Sequence, residues 1–156
     1  MTTYSYGLLP WRDSVDGLQI LLAHMGGPFW AHRDAGAWTI PKGLPDGDEE
    51  TPLETACREF AEELGLPAPT AGFVELGEVQ QSGGKIVRAW AVPTDVEPAA
   101  IVPGTFEMQW PPRSGKTQAF AEIDRVRWMP PDEARALIVG AQAAFIDRLL
   151  DHTTPR

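Results

Sequence analysis

Residues 43–66 read GLPDGDEETPLETACREFAEELGL, and the reading of this stretch decides the fold. Its second half is a helix with marked ends. Thr51 is an N-cap residue, Pro52 suits the first helical position, where no N–H is needed, and Glu54 completes a Thr-x-x-Glu capping box. Gly65 supplies the stop, since a residue without Cβ adopts the left-handed conformation at no steric cost. At about 100° per residue, Leu53, Ala56, Cys57, Phe60, Ala61 and Leu64 fall on one side, which predicts a helix over residues 51–64 packed on a sheet. The other side is charged.

Glu59, Glu62 and Glu63 stand at i, i+3 and i+4 on that helix. The spacing holds three carboxylates within roughly a 100° arc, where each close pair costs about a few tenths of a kcal/mol. A charge run on a helix is most often a solvated face. A hard divalent cation such as Mg²⁺ or Mn²⁺ turns the same repulsion into binding, because its ligands are oxygens. Arg58 is expected to offset part of the charge by pairing with Glu54 one turn earlier.

The stretch resembles the Nudix box, G-x5-E-x7-R-E-U-x-E-E-x-G-U, with U a bulky apolar residue. Arg58, Glu59, Phe60, Glu62, Glu63, Gly65 and Leu66 match in register, and Glu50 stands the required distance before Arg58. The box glycine departs: counting back from Glu50 it should occupy the position of Leu44, and Gly43 lies one residue early. A one-residue insertion in the loop at 44–49 accounts for this, since loop length is cheap. The helix register is untouched. What opens is which loop carbonyl, and which of Glu49 and Glu50, takes the family position; Glu50 is the expectation.

The resemblance implies an α/β fold, an α/β/α sandwich around a mixed β-sheet. It also implies a metal-dependent hydrolase that cleaves a diphosphate linkage in a nucleoside diphosphate joined to another moiety. Glu59, Glu62 and Glu63 match the ligand positions for Mg²⁺ or Mn²⁺, and either Glu59 or Glu63 serves as acceptor of the water's proton in such enzymes. Arg58 is expected to orient carboxylates, Glu50 among them, and Gly43 is a candidate for metal or water contact through its carbonyl. Glu122 or Glu107 would supply a further carboxylate from outside the box. Lys42 is placed to reach a phosphate, and Phe29, Trp30 and Trp110 are candidates for stacking on a base. A non-catalytic Nudix-like domain that senses a nucleotide or nucleotide sugar is the alternative; the full set of box glutamates weighs against it.

Outward from the box, residues 4–9 and 18–24 read as a strand pair, 37–40 as a short strand, and 73–80, 85–92 and 125–129 as further strands. A helix is predicted after Pro130-Pro131, with Asp132 as cap and residues 134–139 as body, and another over 141–150. Trp38 and Trp128, inside predicted strands, are expected in the core. Residues 93–115, rich in Pro, read as an irregular insertion over the site, and 26–43 as a functional loop ending in the strand and turn that enter the box. No repeat or linker divides the chain, so residues 1–156 read as one domain.

Composition narrows the partners. A net charge of −9 argues against a stable nucleic-acid complex, which needs clustered Lys and Arg. The expected partner is a small nucleotide, handled by a monomer or homodimer. No run is long and apolar enough to span a membrane, residues 1–11 lack the pattern of a signal peptide, and the single cysteine, Cys57, suits a reducing compartment; the reading is cytoplasmic. Ser114-Gly-Lys-Thr117 echoes a phosphate-binding loop, yet Trp110 stands where its first glycine is required. Residues 46–57 fail as a calcium loop because Thr51 and Cys57 replace its essential Gly and Glu. His24, His32 and His152 show no metal-ligand spacing and read as structural or surface residues.

Overall fold

The computed structural model describes residues 2–153. β1 (Thr3–Ser14) and β2 (Gly17–Met25) pair antiparallel only near their shared turn, from Trp11 opposite Ile20 to Ser14 opposite Gly17. Beyond that point residues 38–43 enter between them. β3 (Trp38–Thr39) pairs with His24 and Ala23 of β2, while β4 (Lys42–Gly43) pairs with Gly7 and Tyr6 of β1. The Leu8 N–H donates to the Pro41 carbonyl at 3.1 Å, closing the wedge. Bare Gly7 makes room for it: a Cβ there would lie 2.6 Å from the Pro41 oxygen.

β6 (Lys85–Pro93) runs parallel to β1, with antiparallel β5 (Val74–Gln81) outside it. β9 (Ile123–Met129) adds antiparallel to β2, completing a mixed seven-stranded sheet. Alternation along the strands divides the core between its faces. On one face, Leu8, Leu21, Ala23, Trp90 and Val126 pack with Ala56, Phe60 and Leu64 of α1 (Pro52–Leu64). On the other, Leu9, Ile20, Leu22, Trp38 and Met129 pack with Phe145, Ile146 and Leu149 of α3 (Ala143–Thr153) and with Ala134 of α2 (Pro131–Leu137). The result is the expected α/β/α sandwich. Among the described residues no helix is long and apolar enough to cross a membrane.

Three expectations are corrected. Residues 93–115 are not irregular throughout: β7 (Thr105–Gln109) pairs with β8 (Thr117–Ala121) in a hairpin of its own. α2 begins at Pro131 with Pro130 as its cap, not at Asp132, because proline at the first helical position gives up no hydrogen bond. It also ends at Leu137 rather than Val139, since the Val139 N–H is drawn to the Trp38 carbonyl at 2.8 Å. Finally, Trp38 is fully buried, but Trp128 is only half-buried; its indole N–H donates to the Val96 carbonyl at 2.8 Å and Arg12 lies over its ring.

Phe60 is the anchor of α1, fully buried where helix meets sheet. Phe60→Ala should destabilise the protein by about 3–5 kcal/mol, from lost apolar transfer and the cavity left behind. Urea unfolding of the two proteins measures it; a loss under about 1 kcal/mol would show that α1 is held by something other than this face.

Candidate active site

The helix ends behave as their sequence dictates. Thr51 Oγ1 accepts the Glu54 N–H at 3.2 Å while the Glu54 carboxylate accepts the Thr51 N–H at 3.0 Å, and Gly65 closes the helix at φ 66°. Glu54 is thereby committed to the cap, and the expected Arg58–Glu54 pair does not form. Arg58 turns instead to the loop. Its Nε and Nη2 donate to the two oxygens of Glu50 at 2.7 and 3.0 Å, Nη2 also to the Leu44 carbonyl at 2.8 Å, and Nη1 to Glu59 at 3.1 Å and Glu62 at 3.0 Å. Glu50 further accepts from the Thr55 hydroxyl at 2.6 Å and the Asp46 N–H at 3.0 Å. The guanidinium first, then these two donors, hold the Glu50 carboxyl down to about 2. Glu50, not Glu49, therefore meets Arg58, and the extra loop residue is absorbed while Leu44 supplies the carbonyl.

The next turn of α1 faces a cleft of about 390 Å³ lined by Met25, Gly26, Trp30, Glu59, Glu63, Phe106 and Glu122. Burial pushes the Glu63 carboxyl up to about 8, against the pull of the Lys42 ammonium and of a hydrogen bond from the Lys42 main chain. Glu59 is raised by the same desolvation, with Arg58 opposing, and Glu122 is raised by desolvation and then by the charge of Glu62. Desolvation lowers the Lys42 ammonium in turn, with Glu63 opposing. Desolvation is the largest cause of the upward shift at all three carboxyls.

Gly43 explains how Glu59 fits. A Cβ on Gly43 would lie 2.1 Å from the Glu59 carboxyl carbon and 2.4 Å from each of its oxygens, so the carboxylate rests against bare backbone. Both outside carboxylates are exposed, but Glu122 lines the cleft and Glu107, on β7, does not. Alternation is the reason: Phe106, its neighbour, takes the inward place. Trp30 lines the cleft; Phe29 and Trp110 do not, and meet edge-to-face with centroids 5.5 Å apart, joining loop 26–36 to the hairpin. Glu62 is the exposed member of the box trio. The sequence reading missed Phe106, Met25 and Gly26. The alternation of Phe106 with Met108 was the available signal for the first.

Among the described residues no group of three or more His, Cys, Asp or Glu side chains stands in metal-holding geometry. The donor set nevertheless fits a hard divalent cation. Glu59, Glu63 and Glu122 are all oxygen donors, all open on one cleft, and all lose stability as free anions there.

Residues 7–149 match the family model described as NUDIX domain. The chain belongs to this family, in the class of Nudix pyrophosphohydrolases, whose members generally use divalent metal ions. No curated protein matches it in sequence. Among solved structures, a Nudix hydrolase from M. smegmatis, RenU, is 28% identical with a TM-score of 0.60, covering 99% of this chain and 88% of that one. An Ap4A hydrolase from C. elegans, solved as a binary complex, is 18% identical with a TM-score of 0.67, covering 97% of each chain. The NUDIX domain of Shewanella oneidensis NrtR, complexed with ADP ribose, is 16% identical with a TM-score of 0.65, over 99% of this chain and 90% of that one. The latter two likenesses concern the fold.

Gly43→Ala separates the placement of the Glu59 carboxyl from stability. The added methyl must push the Glu59 carboxyl aside, and the flexible end of a side chain gives way at small cost to the fold. The variant should unfold within a few degrees of the wild type yet lose roughly tenfold to a hundredfold in kcat, as misplaced catalytic groups do. Unchanged turnover would show that Glu59 need not rest against residue 43.

Proposed function

We propose that the chain is a single Nudix-type domain that hydrolyses the diphosphate linkage of a small nucleotide, a nucleoside diphosphate joined to another moiety, with Mg²⁺ or Mn²⁺, in the cytoplasm. The observation that carries this reading is one cleft in which Glu59, Glu63 and Glu122 face Trp30 and Phe106. Carboxylates and aromatic rings side by side suit a ligand that is polyphosphate at one end and a flat base at the other.

Glu59, Glu63 and Glu122 would hold the metal, with Glu62 beside them and the Gly43 carbonyl as a further oxygen donor. Bound there, a divalent ion supplies charge neutralisation on the phosphoryl oxygens and activation of the attacking water. The chain's own residues do the rest. Arg58 fixes the directions of Glu50, Glu59 and Glu62, so the carboxylates are preset before substrate arrives. Glu59 or Glu63 takes the proton of the attacking water as its oxygen bonds to phosphorus and the bridging P–O bond breaks. Lys42 stands beside Glu63 but lines a neighbouring pocket with Gly43 and Lys85 rather than this cleft, so a phosphate would meet it only from that side. Trp30 and Phe106 are the stacking candidates that the cleft retains; Phe29 and Trp110 shape its approach.

Turnover of nucleoside triphosphates, dinucleoside polyphosphates and nucleotide sugars, measured with Mg²⁺ or Mn²⁺, tests the reading. Native protein should release phosphate or a nucleoside monophosphate only with metal, and Glu62→Gln combined with Glu63→Gln should reduce kcat by at least about 10³-fold. Tight binding of one of these compounds without turnover would move the protein to the sensing alternative.

A further inference from the structure

His24 lies outside the cleft and is fully buried. Its Nε2 is 2.7 Å from the Arg33 carbonyl oxygen and its Nδ1 is 2.9 Å from Asp124 Oδ2. A carbonyl oxygen only accepts, so Nε2 carries a hydrogen. On the other side of the ring, Nδ1 meets the Asp124 carboxylate at hydrogen-bond distance. Both bonds form together, and one buried ring spans two segments of chain.

Those two segments are walls of the cleft. On one side, the Arg33 carbonyl ends a loop in which the Trp30 N–H donates to Gly27 at 3.3 Å and the Arg33 N–H to the Trp30 carbonyl at 3.0 Å. On the other, β9 pairs Arg125 with His24 and then Ile123 with Met25, leaving Asp124 as the extra residue of a bulge. The bulge brings Glu122 alongside Gly26, whose N–H donates to the Glu122 carbonyl at 3.0 Å, and so sets where Glu122 meets the cleft. The surroundings hold the ring firmly. Its neighbour Trp38 meets it edge-on at 5.1 Å and donates its indole N–H to Asp34 at 2.8 Å; Arg125 binds the other oxygen of Asp124 at 2.9 Å; Arg125 and Arg127 lie over the Trp38 ring.

We propose that His24 is a positioning residue, a single cross-link that fixes both the Trp30 loop and the bulge carrying Glu122 relative to α1. The inference rests on the reading of the cleft as the site of hydrolysis. Its role is to keep an aromatic wall and an outside carboxylate in place on the cleft.

The test compares His24→Phe, Asp124→Ala and Asp124→Asn with the wild type. Phenylalanine fills the ring's volume and keeps the Trp38 contact but makes neither hydrogen bond. Asparagine keeps the link, because its amide N–H donates to Nδ1 while Nε2–H still serves Arg33. His24→Phe and Asp124→Ala should speed amide exchange in residues 26–37 by at least about tenfold, with β1, β6 and α1 unchanged. On whichever substrate the wild type cleaves, they should raise KM and lower kcat by roughly tenfold each, while Asp124→Asn stays within about threefold of wild type on every measure. Wild-type exchange in both disruptive variants, or Asp124→Asn falling as far as Asp124→Ala, would overturn the proposal. Should His24→Phe fail to fold, the exposed Asp124 pair decides it alone. If the wild type cleaves nothing, the hydrolase reading fails, and the exchange comparison still decides the cross-link.

Discussion

One guanidinium ties the box loop to the box helix. Arg58 uses all three of its nitrogens, reaching Glu50, the Leu44 carbonyl, Glu59 and Glu62 from a single half-buried position. Without it, four acidic groups or carbonyl dipoles would point at one another across the turn into α1. Lysine at this position would retain the charge but not the forked geometry, so it could not hold Glu50 through two nitrogens while also bridging Glu59 and Glu62. The arrangement also explains why an added loop residue is harmless. The guanidinium meets Leu44 through its carbonyl, which any residue supplies, and the loop between Leu44 and Glu50 can vary while both ends stay fixed.

A second constraint is steric and belongs to the sheet. β1 and β2 part to admit residues 38–43, and this wedge delivers Gly43 beneath α1, where it leaves space for the Glu59 carboxyl. The packing of Phe60 and Leu64 on the sheet sets the rotation of the helix. That rotation then decides the fate of the three box glutamates: Glu59 and Glu63 turn toward the cleft and Glu62 remains exposed. Apolar burial thus positions charged groups that would not approach one another unaided.

Much of this was legible in local sequence. The ends of α1 follow from Thr51, Pro52, Glu54 and Gly65, because capping acts within a single turn. The expected pairing of Arg58 with Glu54 does not form for the same reason: the cap already holds the Glu54 carboxylate. The hairpin of residues 105–121 was hidden because its strands are short, largely exposed and pair only with each other, so the alternation of Phe106 and Met108 in β7 spans too few residues to stand out. Glu122 and Glu107 looked alike as isolated acids. What separates them is pairing: a bulge at Asp124 sets one beside Gly26, and the pleat of β7 turns the other outward. His24 read simply as a structural residue, since its partners are 9 and 100 positions away in the chain.

The cleft has two kinds of wall, and they differ in what holds them. Glu59 and Glu63 stand on a helix secured by a buried apolar face, two caps and a multiply bonded arginine. Trp30 and Phe106 stand on segments that pack less: a loop with exposed residues on either side of Trp30, and a hairpin outside the main sheet. Under the proposed function, the box helix would set the bond that is cleaved, while the wall of Trp30 and Phe106, anchored through His24, would meet the rest of the substrate. The Phe29–Trp110 contact joins the loop to the hairpin, so a shift in either segment is transmitted to the other. Under the proposed function, substrate choice would fall to these two coupled segments outside the glutamate helix, and substitutions there would alter which compound is accepted before they alter the cleavage itself.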